Sequence, residues 1–79
     1  MLTQAMAKAF APEVSVNCVA PGWIEFAGED GEAAKRFAAK TPMKRNGTAE
    51  DVAQAVLSFA TSSSFVTGQI LSVDGGLGL

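Results

Sequence analysis

Two short runs in this chain hold residues that could meet a small molecule: Pro21-Gly22-Trp23-Ile24 and Asp74-Gly75-Gly76. Each follows a stretch that reads as a β-strand, and in open α/β sheets ligands bind outside the carboxyl ends of parallel strands. Gly22 lets backbone come close to a ligand, so the loop after it can offer N–H and C=O groups to a planar polar ring. That makes the first run the better candidate. On these residues alone, plain strand punctuation by Pro-Gly is the reading to prefer. Glu25 and Asp74 leave open an unrelated, carboxylate-based chemistry. Other chemistries lack their parts. The chain has no His, no Tyr and one Cys, Cys18, which excludes a His-based triad, a phenolic acid, an internal disulfide and the usual Cys/His zinc site. Ser62-Ser63-Ser64 has no base to activate a hydroxyl. Gly76-Leu77-Gly78 is not followed by the third glycine and helix of a dinucleotide fingerprint. Glu29, Asp30 and Glu32 suit the positive end of a helix better than the spacing of a calcium loop. No catalytic residue and no metal ligand is assigned.

The elements that must position these runs can be read in order. Leu2, Met6 and Phe10, with Ala5 and Ala9, form one apolar face of a helix over residues 2–11, which Pro12 stops. Val14 to Ala20 is uncharged and rich in β-branched residues, the pattern of a strand buried on both sides in a parallel sheet. After an aperiodic stretch from Trp23 to Gly31, residues 32–40 form a helix with Ala33, Phe37 and Ala38 on one side and Glu32 facing Arg36. Thr48-Ala49-Glu50-Asp51 has the form of a capping box and opens a helix carrying Val52, Ala55, Val56, Phe59 and Ala60, ended by the polar run Thr61 to Ser64. Gln69 to Val73 is a second strand. Two strands joined by a helical crossover of this length should pair in parallel, giving an α/β unit in the order helix-strand-helix-helix-strand.

At 79 residues the chain is a single domain, residues 1–79. Of its 38 hydrophobic residues 14 are Ala, which leaves few large side chains for a core and makes a homo-oligomer the expected way to complete the sheet. A formal charge of −2 gives nucleic acid no broad reason to bind, and the basic residues between Lys35 and Arg45 read as a solvated helix face and loop. The uncharged stretch from Val52 to Val73 is too polar to span a membrane, and residues 1–12 lack the layout of a targeting segment. A cytoplasmic protein with no membrane partner is the expectation.

Three motifs in this order resemble the short-chain dehydrogenase/reductase family. Asn17-Cys18-Val19-Ala20-Pro21-Gly22-Trp23-Ile24 is similar to its N-x-V-x-P-G-x-I stretch, and Thr67 to Gly76 to its T-G-x-x-x-x-V-D-G-G. Pro42-Met43-Lys44-Arg45 and Glu50-Asp51-Val52-Ala53 match the segment between them. The resemblance covers nearly the whole chain and corresponds to about the last third of such an enzyme. It implies the C-terminal part of a Rossmann-like fold and a cofactor that is NAD or NADP. The family's glycine-rich loop, catalytic Ser and Y-x-x-x-K pair have no counterpart here; Lys8 has Gln4, not Tyr, four residues before it.

Carried over residue by residue, the resemblance implies that Pro21, Gly22 and Ile24 border the nicotinamide, with Ile24 backbone groups pairing to its carboxamide. Trp23 faces the substrate side, and Trp23 with Phe26 gives the substrate an apolar neighbourhood. Residues 27–40 correspond to a substrate lid, and the helix from Thr48 with the strand from Gln69 to an oligomer interface. One departure stands out. The family places Thr where this chain has Phe26, which has no hydroxyl for a cofactor phosphate, and a Glu25 turned inward would repel a pyrophosphate. The expected function is therefore an oxidoreductase segment that does not transfer hydride alone; a self-associating, non-catalytic module is the alternative.

Overall fold

The computed structural model describes residues 1–25 and 31–79. Helix α1 (Leu2–Phe10) is followed by strands β1 (Cys18–Pro21) and β2 (Ile24–Glu25). Helix α2 (Glu32–Lys40), strand β3 (Gly47–Thr48), helix α3 (Ala49–Thr61) and strand β4 (Ile70–Val73) complete the order. β1 pairs with β4 in parallel, from Cys18↔Ile70 to Pro21↔Val73, as the crossover length predicts. α3 packs against β1, β3 and β4.

The helix limits follow from local chemistry. Ala11, next to Pro12, is held extended, so α1 ends at Phe10. At α3 the Thr48 side chain accepts from the Asp51 N–H at 3.2 Å while the Asp51 carboxylate accepts from the Thr48 N–H at 2.9 Å. This reciprocal box satisfies two otherwise orphaned groups. At its other end Thr61 and Ser62 hydroxyls donate back to the Leu57 and Phe59 carbonyls, which closes the helix.

Three expectations need correcting. The first strand begins at Cys18, not Val14, because residues 14–17 do not keep a regular backbone ladder. The Val16 N–H donates to the Thr67 hydroxyl at 3.0 Å, and the Asn17 side chain bonds the Val66 C=O and the Gln69 N–H. The Val16 C=O accepts from the Gly68 N–H at 2.7 Å, so the segment runs beside the loop before β4, with the Thr67 and Asn17 side chains interrupting a regular ladder. A second parallel pair, β2 with β3 (Ile24↔Gly47, Glu25↔Thr48), was not expected at all. Glu32 meets Lys35 at 3.9 Å rather than Arg36, a fully solvated contact of little consequence.

The core is made of small residues. Among the described residues Ala7, Ala34 and Ala55 are the buried apolar side chains, whereas Leu2, Met6, Phe10, Val56, Leu57 and Phe65 are exposed. The faces read as core stripes on α1 and α3 are therefore only partly covered. The accessible surface is 5739 Å², against about 4,500 Å² for a free-standing domain of this mass. The radius of gyration is 14.9 Å, against about 12 Å for a compact chain of this length. A trough of about 570 Å³ runs between β1 and α3, lined by Val19, Pro21, Val52, Val56, Phe59 and Ala60 among others.

Candidate functional site

The carboxyl ends of β1 and β4 come together. The Gly22 N–H donates to the Val73 C=O at 3.0 Å, so the Pro-Gly run leaves the sheet against the start of the Asp-Gly-Gly turn. A Cβ on Gly22 would lie 2.9 Å from the Asp74 Cβ and 3.0 Å from its Cα. Glycine at 22 is thus required by the neighbouring strand. The Asp74 carboxylate accepts from the Gly76 and Gly78 N–H groups at 3.0 and 3.3 Å, and is committed to its own turn. Gly75 sits at φ +62, where a Cβ would meet the Thr41 side chain, and its C=O accepts from the Met43 N–H at 3.0 Å. The loop after α2 is in this way fastened to the turn after β4.

Beyond Gly22 the chain runs along β3. The Gly47 N–H donates to the Trp23 C=O at 2.9 Å. Successive backbone groups of a strand alternate sides, so the Ile24 N–H and C=O are turned away from β3. This leaves them on the side where a ligand carboxamide could pair with both. Trp23 is half-buried and stacks on Phe37 of α2, with ring centroids 4.6 Å apart and planes 27° from parallel. Its Nε1 is buried with no hydrogen-bond partner among the described residues. Glu25 is exposed, and its Oε1 accepts from the Asn46 Nδ2 at 2.7 Å. That carboxylate is drawn toward β3 and α2, which removes the inward orientation considered from the sequence.

Of the candidate residues, Pro21, Gly22, Trp23 and Ile24 fall together at one end of the sheet, and Phe26 lies outside the described residues, as do Glu29, Asp30 and the first part of the expected lid, residues 27–30. Phe37 and Asn46 are the contributors that sequence reasoning missed. Phe37 reads equally well as a core residue of α2, and Asn46 belongs to no pattern. A depression of about 630 Å³ between α1 and Thr67-Gly68 lies at the amino end of β4, away from this site. Beside the site, Arg45 forms a two-pronged bond to Asp51, at 2.8 and 3.3 Å. This bond, with the bond from the Thr48 N–H, holds the Asp51 carboxyl well below the usual carboxylate range.

The family profile described as enoyl-(acyl carrier protein) reductase matches residues 1–78. The chain belongs to the short-chain dehydrogenase/reductase family. It is 42% identical over 81 aligned positions to a 3-oxoacyl-(acyl-carrier-protein) reductase FabG of Thermotoga maritima, covering 96% of this chain and 33% of that protein. Among solved structures it matches the aldohexose dehydrogenase of Thermoplasma acidophilum with a TM-score of 0.85 and 33% identity, over 98% of this chain and 36% of that one. A small-chain dehydrogenase solved with NADPH matches with a TM-score of 0.80 and 32% identity, over 96% and 37%. The chain therefore spans about a third of the length of these relatives. The fold is a partial Rossmann-like α/β unit, and NAD(P) is the cofactor of the family.

Proposed function

We propose that these 79 residues form the nicotinamide-side wall of a short-chain dehydrogenase/reductase site, with α2 as substrate-side cover and α3 with β4 as a subunit contact, in a cytoplasmic setting. The observation that carries this reading is the pair of Ile24 backbone groups, turned away from β3 and without a partner among the described residues, beyond the carboxyl end of β1. They match the donor and acceptor of a carboxamide in kind, with Pro21 and Gly22 beneath the ring and Trp23 on the far side. NAD(P)H, when bound, supplies the hydride. The residues of this chain orient the ring and exclude water, and none of them moves the proton: the chain has no Tyr and no His, and both Asp74 and Glu25 are held in structural hydrogen bonds. The proton donor and the phosphate cradle must come from outside these residues, so the chain alone does not transfer hydride.

The test is amide NMR with NADH added to millimolar concentration, together with a carbonyl-reduction assay. Chemical shifts should move at Gly22 to Glu25, with no NADH consumed. Shifts confined to other residues, or turnover that survives removal of host reductases, would refute the reading. The excess accessible surface favours a second role, association of this chain with copies of itself through the trough between β1 and α3; its test is the oligomeric state.

A further inference from the structure

We propose that Asn46 is a positioning residue: it seats helix α2 against the β2–β3 pair and thereby fixes the indole of Trp23, a role whose functional meaning rests on the nicotinamide-side reading above. Asn46 is 8% exposed, and its Nδ2 donates both hydrogens, one to the Glu25 Oε1 and one to the Ala34 C=O, each at 2.7 Å. One side chain therefore ties β2, the segment entering β3 and the first turn of α2. Trp23 stands next to it, because Ile24 and Gly47 are register partners and the Gly47 N–H reaches the Trp23 C=O. From there the indole stacks on Phe37, three residues beyond Ala34. α2 is thus held at two points about one turn apart, by an amide at Ala34 and by an aromatic face at Phe37.

Seating the helix also has a cost that makes Asn46 decisive. With both amide hydrogens used, the Asn46 Oδ1 is buried without a partner among the described residues, and so is the Trp23 Nε1. Both atoms would regain water if α2 lifted, so the seated arrangement pays for two stranded polar groups with the two Asn46 bonds and the stack. No close relative of asparagine supplies the same bonds. Aspartate would set oxygens against the Glu25 carboxylate and the Ala34 carbonyl, and glutamine places its amide one methylene too far.

Trp23 is the single tryptophan and the chain has no tyrosine, so ultraviolet emission reports this contact alone. Asn46→Ala should speed amide exchange in α2 by about tenfold, the loss of about one charge-assisted bond. It should also shift Trp23 emission to the red with easier acrylamide quenching, while exchange in α3 stays unchanged. Glu25→Gln, which keeps the acceptor without its charge, should loosen α2 less than Glu25→Ala, which removes the acceptor. Unchanged exchange in α2, an equal rise in α3, or Glu25→Gln behaving as Glu25→Ala would overturn the proposal. If Asn46→Ala fails to fold, the two Glu25 variants decide it, since that side chain is exposed. None of these readouts needs nicotinamide, so they are independent of the NMR titration above.

Discussion

Replacing Gly22 with alanine asks whether the Pro-Gly run is shaped by the sheet or by a ligand. The added methyl carbon would lie 2.9 Å from the Asp74 Cβ and 3.0 Å from the Asp74 Cα. Real Cβ contacts are longer by about half an ångström or more, and neither atom is the free end of a side chain that could swing aside. The ends of β1 and β4 would have to part, straining the bond from the Gly22 N–H to the Val73 C=O and the turn held by the Asp74 carboxylate. Overpacking of this kind costs about 1–3 kcal/mol. A chain of this size has only about 4–12 kcal/mol in total. With a urea slope near 1 kcal/mol/M, the low end for small proteins, the midpoint should fall by about 1–3 M. Measurements need matched protein concentrations, because association would stabilise both forms. Gly31→Ala is the control: no described atom lies within 4 Å of the added carbon, and the change at the N-cap of α2 should cost no more than about 1 kcal/mol. A Gly22→Ala midpoint equal to that of the control would refute the steric account, and would return Gly22 to the ligand reading.

Two further outcomes are expected. Because its folded-state pKa is depressed, Asp51 contributes stability above its unfolded value near 3.8, and that contribution is lost as pH falls from there through the lower folded value; Asp51→Asn should flatten this acid-side loss of α3 helicity in circular dichroism, and an unaltered acid profile would disprove it. If two copies each covered the excess of about 1,200 Å² the interface would total about 2,400 Å², within the range of obligate dimers; light scattering should then report more than one subunit, Val56→Arg in the trough should yield monomers, and a folded parent monomer at all concentrations would defeat the association reading.

The helices were legible because their signals are local. Pro12 sets the end of α1, and the Thr48–Asp51 box sets the start of α3. For α2 the expected limits, 32 and 40, are those observed. The strands were legible only where a β-branched run coincides with the ladder. Val14 to Asn17 has strand composition, but the Thr67 and Asn17 side chains interrupt its ladder, and composition cannot distinguish the two. β2 and β3 are two residues each, far below any periodic signal, and exist because Trp23 and Gly47 meet across some twenty intervening residues. The helical stripes were real as patterns, yet most of their large residues stay exposed, only Val52 and Phe59 are half-buried, and alanines are the buried apolar residues among those described. A hydrophobic face shows that cover is wanted without naming what supplies it.

At the candidate site, the sequence pointed to the strand end and missed what holds it. Gly22, Trp23 and Glu25 are each fixed by a partner later in the chain: Asp74 against Gly22, Phe37 and the Gly47 N–H against Trp23, Asn46 against Glu25. These contacts are short, specific and internal to the 79 residues, whereas the uncovered apolar surface is large and includes the β1–α3 trough. The two parts of the molecule thus obey different physics. The loop is held by steric fit, one stack and directional bonds, which persist in a single copy and are insensitive to concentration. The trough is governed by apolar area, which is released from water only when something covers it. It follows that dilution should uncover the trough before it disturbs Trp23. An emission maximum that stays constant while the light-scattering mass falls is the expected pattern, and the two changing together would mean that the loop is ordered by the interface.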